Sequence, residues 1–216
     1  MKKSKYDLIL FDLDGTLLNT YEGIISTYTY ALKMKGVTLA DDFDLHSLIG
    51  PPIEPFCQEH FGLSEKDSID VMQIFIDHYK KGDIYHAEKY EGIDETLAEL
   101  KSRGYLLGVV TNKKFDTGTR ILEFFELSKC FDAIEGLDYE RKYTKESLIE
   151  KCGKNLGVNN SKILLVGDSQ SDAKAAVKTN IDYCEVLYGF GFNKENRYNG
   201  RKIGSISKPI DLLTLL

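Results

Sequence analysis

Short aliphatic runs alternate with stretches of helical periodicity along most of the chain. The three strongest runs are Leu8-Ile9-Leu10-Phe11, Tyr105-Leu106-Leu107-Gly108-Val109-Val110 and Ile163-Leu164-Leu165-Val166. Each is continuously apolar rather than alternating, as expected of strands buried on both faces of a sheet. Weaker strand-like runs cover Asp132–Glu135, Cys184–Tyr188 and Ile203–Ile206. Helical spacing marks Glu95–Lys101, with Gly104 beyond it as a C-cap, and Thr144–Leu156, stopped by Gly157. Asp172–Thr179 reads as a shorter helix, with Asn180 able to take the left-handed cap conformation. Strands that alternate with helices predict an α/β fold, a mostly parallel, doubly wound sheet covered by helices.

Residues 17–89 break this alternation. Tyr21–Lys35, Pro52–Phe61 and Glu65–Lys80 read as helices, separated by Gly36, by Gly50-Pro51-Pro52 and by Gly62-Leu63-Ser64. No run between them has the aliphatic continuity of the three strong strands. The pattern predicts an all-helical insert at 17–89, leaving 1–16 and 90–216 as the α/β core. The insert leaves the sheet directly after the first strand, so it is expected to stand over that strand's carboxyl end. The chain holds no internal repeat and no low-complexity segment.

Composition narrows the function. The formal charge is −6 and the only basic tract is Met1-Lys2-Lys3-Ser4-Lys5, which argues against nucleic acid as a partner because the phosphate backbone rewards a basic face. No apolar stretch approaches the ~20 residues of a membrane span. The run after the basic start is too short for a signal-peptide core. Cys57, Cys130, Cys152 and Cys184 are dispersed without a C-x-x-C pair, as free thiols of a reducing compartment are. A cytoplasmic location is expected, and the sequon Asn159-Asn160-Ser161 is then irrelevant.

The chemistry lies where the strong strands end. The first runs into Asp12-Leu13-Asp14-Gly15-Thr16, the second into Thr111-Asn112, and the third into Gly167-Asp168 followed by Asp172. In an extended chain the i, i+2 spacing sends Asp12 and Asp14 to one side. Parallel strands bring all three carboxyl ends to one sheet edge, where open α/β sheets bind ligands. Crowded carboxylates repel unless a cation or shared proton compensates them. Hard oxygen ligands with room for water point to Mg²⁺. Thr111 and Asn112 can donate to phosphate oxygens without adding charge. A basic residue is also needed, and Arg141, Lys142 and Lys145, in the stretch that opens the helix at 144–156, are the candidates.

FDLDGTLLNT at 11–20, VVTNK at 109–113 and VGDSQSD at 166–172 together resemble the first, second and fourth motifs of the haloacid dehalogenase superfamily of phosphatases. The resemblance spans essentially the whole chain, and the helical insert resembles that family's C1-type cap on a Rossmann-like core. Ile49-Gly50-Pro51-Pro52, Tyr90-Glu91-Gly92-Ile93 and Val186-Leu187-Tyr188-Gly189-Phe190-Gly191 resemble the phosphoglycolate-phosphatase-like branch. Some members of that branch are labelled 5′-nucleotidases or pyrophosphatases. The resemblance implies that Asp12 is the nucleophile that becomes an aspartyl phosphate. It implies that Asp14 protonates the leaving oxygen and then serves as base toward water. Mg²⁺ is implied between Asp12, the backbone carbonyl of Asp14, and Asp168, with Asp172 direct or one shell out.

The chain departs from the family where a lysine followed by proline is common. Lys145-Glu146-Ser147-Leu148-Ile149 matches the branch's alternative better than Lys142 does. Asn19 stands where an acidic residue is frequent.

The resemblance further implies a small phosphorylated metabolite as substrate and a monomer or homodimer. Tyr21 and Glu22, just past the first motif, and Gly50 and Pro51 are the candidates for substrate choice. His46, His60, His78 and His86 lack metal-ligand spacing and read as surface or packing residues. The aromatics Tyr28, Tyr30, Phe56, Phe61, Phe75 and Tyr79 read as core of the insert. Gly189-Phe190-Gly191 lacks the third glycine of a dinucleotide loop. A nucleotidase, a pyrophosphatase, a phosphomutase and a noncatalytic binder are the alternative readings.

Overall fold

The computed structural model describes residues 5–50, 52–140, 142–191 and 201–216. They form β1 (Leu8–Phe11), β2 (Leu18–Asn19), α1 (Tyr21–Met34), α2 (Ile53–Phe61), α3 (Glu65–Tyr79), β3 (Glu88–Lys89), α4 (Ile93–Ser102), β4 (Leu106–Lys114) and α5 (Phe115–Phe124). The chain continues through β5 (Ala133–Leu137), α6 (Lys145–Leu156), β6 (Ile163–Gly167), α7 (Gln170–Lys178), β7 (Asp182–Val186), β8 (Lys202–Ile206) and α8 (Leu212–Leu215). It divides into two compact units, one of residues 1–19 with 89–216 and the other of residues 20–88.

Among the described residues of the first unit, six strands form one sheet in the order β5-β4-β1-β6-β7-β8. Every pairing in it is parallel. Leaving out the separate two-stranded ladder of β2 and β3, the order is that of a Rossmann-type sheet, which reverses direction about its first strand. Leu8 pairs with Leu106 on one side and with Ile163 on the other. All four residues of β1 are therefore buried, and the continuous apolar run needs no polar face. Leu8 and Leu10 join Leu148, Ile149, Cys152 and Ala173 in a core beneath α6 and α7. By the two-residue period Ile9 and Phe11 face the opposite side, where α4 and α5 contact β4. Exchange of such residues for alanine removes about 2–5 kcal/mol each.

Among its described residues the second unit is built of helices, apart from Glu88 at the start of β3. Ile25, Tyr28, Ala31 and Leu32 of α1 pack with Phe56 and Cys57 of α2 and Val71 of α3. The i, i+3, i+6, i+7 recurrence in α1 is the stripe that an amphipathic helix buries. The Tyr28 hydroxyl lies 3.7 Å from Cys57 Sγ, which gives the polar tip a partner inside this core. Ser64 caps α3 through the Asp67 backbone N–H, and Gly62 closes α2 in the left-handed conformation.

Strands β2 and β3, which lie inside the expected insert, and helix α8 have no counterpart in the sequence expectation, and α5 and β7 differ from it as well. Helix α5 has no counterpart in it, because the chain passes from Lys114 to Phe115 without a turn residue. Two of its four buried positions are Thr117 and Gly118, which hide the apolar stripe. Strand β7 begins at Asp182 rather than Cys184. A carboxylate does not read as a strand start, yet Asp182 is buried against Lys5, against the Tyr6 hydroxyl at 2.6 Å and against Arg201 Nε at 2.8 Å.

Candidate active site

The reversal of strand order opens a crevice at the carboxyl ends of β1, β4 and β6. Asp12 is the first residue past β1, and its backbone N–H donates to the Val166 carbonyl of β6 at 2.9 Å. That bond extends the ladder by one residue and turns the side chain into the crevice. Gly15 then takes φ +81°, a conformation that favours glycine. A Cβ there would stand 2.2 Å from Asp168 Oδ2. The first motif thus folds back against the end of β6 only because residue 15 has no side chain.

Asp168 follows β6, and Asp172 lies in the first turn of α7. Ser169 caps that helix: its hydroxyl accepts from the Asp172 N–H, while the Ser169 N–H donates to Asp172 Oδ2 at 3.0 Å. This reciprocal pairing is a capping box, and it fixes the Asp172 carboxylate. The other Asp172 oxygen pairs with Lys145. Lys145 Nζ also sits 2.8 Å from Asp12 Oδ1. Lys145 is the first residue of α6 and only 4% exposed. Its place is set by Thr144, which makes a second capping box with Ser147.

Of the basic candidates, Lys145 stands against Asp12. Lys142 is 68% exposed and pairs with Glu140. Arg141, like Pro51, lies outside the described residues. Lys145, which the sequence favours over Lys142, is thus the one of the two that stands beside Asp12.

The carboxylates are strongly perturbed. Burial, and then the Asp172 charge, push Asp12 up to about 7 despite the Lys145 ammonium. Burial, and then Asp12 and Asp172, push Asp168 up to about 8. Burial pulls Lys145 down, but Asp12 and Asp172 more than offset it and hold the ammonium above its ordinary range. One ammonium cannot offset three ionised carboxylates at this depth, so their full ionisation calls for a further cation.

Asp12, Asp168 and Asp172 each offer an oxygen, all within 4.8 Å of one another. Asp168 Oδ1 is buried and has no hydrogen-bond partner. Its Oδ2 accepts the backbone N–H groups of Phe190 and Gly191, both at 2.9 Å. One oxygen is therefore pinned and the other left for a ligand, a donor set that fits a hard divalent ion. Both Asp172 oxygens are engaged, by Ser169 and by Lys145, which suits it to hold the lysine.

The remaining candidates fall as follows. Asp14 Oδ1 lies 3.1 Å from Lys113 Nζ. Thr111 is buried, and its Oγ1 accepts the Lys113 N–H at 3.1 Å, leaving the hydroxyl hydrogen free to be donated elsewhere. Asn112 is exposed and donates to Ser171 Oγ at 3.0 Å. Thr16 is buried with Oγ1 lacking a partner. In the helical unit, the Tyr21 ring meets the His46 ring at 4.7 Å. Glu22 is exposed in the first turn of α1, and Gly50 has φ +103°. His60 stacks on Phe56 and His78 on Tyr30, so both are packing residues.

Several residues at the site were given no site role from sequence. The Leu187–Gly191 segment, read there only as a branch motif and as a failed dinucleotide loop, is the main one. A Cβ on Gly189 would stand 2.3 Å from the Gly15 carbonyl oxygen and 2.4 Å from Asp168 Oδ2. This glycine pair serves the carboxylate of Asp168, not a dinucleotide. Tyr188 donates to the Thr16 carbonyl at 3.1 Å and meets the Tyr90 ring at 4.7 Å. Burial, then Asp168 and Asp14, hold the Tyr90 phenol above its usual range. Ser169 was legible as an N-cap three residues before an acid. Lys113 stood inside a quoted motif without a role.

The haloacid dehalogenase-like hydrolase profile matches residues 9–186. A 5′-nucleotidase of Pseudomonas aeruginosa is 31% identical over 194 residues, covering 89% of this chain and 88% of that one. A phosphoglycolate phosphatase of Aquifex aeolicus is 30% identical over 211 residues, covering 97% and 96%. Among solved structures, a haloacid dehalogenase-like hydrolase from Streptococcus pneumoniae superimposes with a TM-score of 0.88 at 28% identity, covering 97% and 98%.

Proposed function

Because the chain belongs to the haloacid dehalogenase-like hydrolase family and is a phosphatase of it, we propose that it hydrolyses a small phosphomonoester of the phosphoglycolate kind with Mg²⁺ as cofactor. The observation that carries this reading is the buried cluster of Asp12, Lys145, Asp168 and Asp172 at the switch point of the sheet.

Asp12 is the nucleophile. Its Oδ1 is held by Lys145 at 2.8 Å, which restricts the carboxylate to one orientation. Its attack on phosphorus forms an aspartyl phosphate and expels the alkoxide, and Asp14 gives that leaving oxygen its proton. Asp14 then takes a proton from the water that cleaves the aspartyl phosphate, so the acid is restored in the second half of the reaction. Thr111 and Asn112 donate to the phosphoryl oxygens, and Lys145 supplies charge where negative charge spreads.

Asp12 and Asp168, with the Asp14 backbone carbonyl, would hold Mg²⁺, and Asp172 keeps Lys145 in place through their ion pair. When bound, the cation would supply charge neutralisation at the phosphoryl oxygens. Tyr21, Glu22, Gly50 and Pro51 of the helical unit take part in choosing the organic group. The protein acts in the cytoplasm on a small metabolite, as a monomer or homodimer. No helix among the described residues is long and apolar enough to cross a membrane.

Two relatives bear names with different substrates, a 5′-nucleotidase and a phosphoglycolate phosphatase. Steady-state phosphate release from 2-phosphoglycolate, nucleoside 5′-monophosphates and pyrophosphate, with and without Mg²⁺, tests the proposal. The highest kcat/KM is expected on phosphoglycolate, and release is expected to require the cation. A purified, folded protein inert toward all three would overturn it.

A further inference from the structure

We propose that Lys113 is a specificity-determining residue that selects substrates whose leaving group carries an anion close to the scissile oxygen. The inference rests on the reading of Asp14 as the acid that protonates that oxygen.

Lys113 lies near the end of β4, two residues past Thr111. Three features set its position. Its backbone N–H donates to Thr111 Oγ1. The ladder between β4 and β5 shifts register between Thr111 and Lys114, an irregularity of the kind that re-aims a side chain beside an active site. The backbone of β5 passes close by: a Cβ on Gly136 would stand 2.8 Å from the Lys113 carbonyl oxygen and 2.9 Å from the Phe115 nitrogen. The strand end is thus held on both sides, and the Lys113 side chain is only 10% exposed. Its ammonium stands 3.1 Å from Asp14 Oδ1.

The two lysines of the crevice serve different carboxylates. Lys145 is bound to Asp12 and Asp172, at the end where the phosphoryl group is attacked. Lys113 is bound to Asp14, at the end from which the alcohol departs. To receive a proton the leaving oxygen must come within about 3 Å of an Asp14 oxygen. A carboxylate on the carbon next to that oxygen extends about 3 Å further. An ammonium paired with Asp14 is therefore within reach of it. Lysine suits this double duty, since one ammonium offers three donors and can hold Asp14 with one while meeting a substrate anion with another.

The anion that fits is a carboxylate, or a second phosphoryl group, attached one or two atoms from the bridging oxygen. Selection of this kind resides in the α/β unit. It operates in addition to whatever the helical unit contributes.

The test compares 2-phosphoglycolate with ethyl phosphate, which releases a similar two-carbon alcohol and lacks the carboxylate. In the wild-type protein kcat/KM on phosphoglycolate is expected to exceed that on ethyl phosphate by about tenfold or more, the worth of one charge-assisted hydrogen bond. Lys113→Met is expected to collapse that preference mainly through KM, and Lys113→Arg to restore much of it. An equal loss on both esters in Lys113→Met would assign Lys113 to Asp14 alone and overturn the inference. So would a wild-type protein that turns over both esters without preference, whatever the variants do. Failure to hydrolyse either ester is a separate result, and it overturns the phosphomonoesterase reading itself and this inference with it.

Discussion

Asp12, Asp168 and Lys145 show how burial turns ordinary side chains into reactive ones. The same desolvation that raises the two acids strengthens the pull of Lys145 on Asp12, because charges interact more strongly away from water. Asp12→Asn keeps the size and removes the nucleophile. Phosphate release in that variant is expected to fall by at least about a thousandfold, with an unchanged circular dichroism spectrum. The second residue-scale prediction concerns Gly189, where an added methyl would run into the Gly15 carbonyl and Asp168 Oδ2. Gly189→Ala is expected to weaken Mg²⁺ affinity about 10–100-fold, as loss of an outer-shell partner does. Titration calorimetry checks this without reference to turnover, and unaltered affinity would show that the segment at 187–191 does not position Asp168.

At the scale of elements, helix starts do much of the positioning. Lys145 and Asp172 each lie in the first turn of a helix whose N-terminus is closed by a capping box, at Thr144 and Ser169. The caps satisfy orphan backbone donors and also fix the backbone that carries a functional side chain. Thr144→Ala is expected to cost about 1 kcal/mol of stability in urea unfolding and to raise KM for the phosphate ester as Lys145 loosens. An effect on stability alone would separate the cap from the site. The strands were legible because burial on both faces demands unbroken aliphatic runs, as in Leu8–Phe11 and Ile163–Val166. Helix α5 was not legible, since Thr117 and Gly118 occupy half of its buried stripe. The start of β7 was hidden for a different reason, a carboxylate whose charge is met by Lys5 and Arg201 from distant parts of the chain.

Over the whole molecule, the acid cluster links stability to both pH and metal. Asp12 and Asp168 have folded-state values near 7 and 8 against an ordinary 3.8. Between about pH 4 and pH 8 the unfolded chain therefore holds fewer protons at these groups than the folded one. Stability from this source falls as pH rises through that window. The metal-free protein is expected to melt at a higher temperature at pH 6 than at pH 8. Saturating Mg²⁺, which binds the ionised carboxylates, should raise the melting temperature more at pH 8, with about 2.7 kcal/mol gained at a hundredfold excess over its Kd. Thermal scans at the two pH values, with EDTA or Mg²⁺, check the sign. A metal-free protein more stable at pH 8 would contradict the assignment of Asp12 and Asp168 as the dominant desolvated pair.

The class of fold, and the order in which the strand ends present Asp12, Asp14, Thr111, Asn112 and Asp168, were legible from the chain alone, because period and polarity are local properties of it. The contact of Lys145, favoured over Lys142 by motif, with Asp12 came only from the tertiary structure, because only folding brings the start of α6 against the end of β1. The tertiary structure likewise decided that Phe190 and Gly191 hold one oxygen of Asp168 and that Lys113 meets Asp14. Those contacts join segments far apart in the chain, and no local pattern of polarity records which distant backbone or charge will arrive beside a given carboxylate.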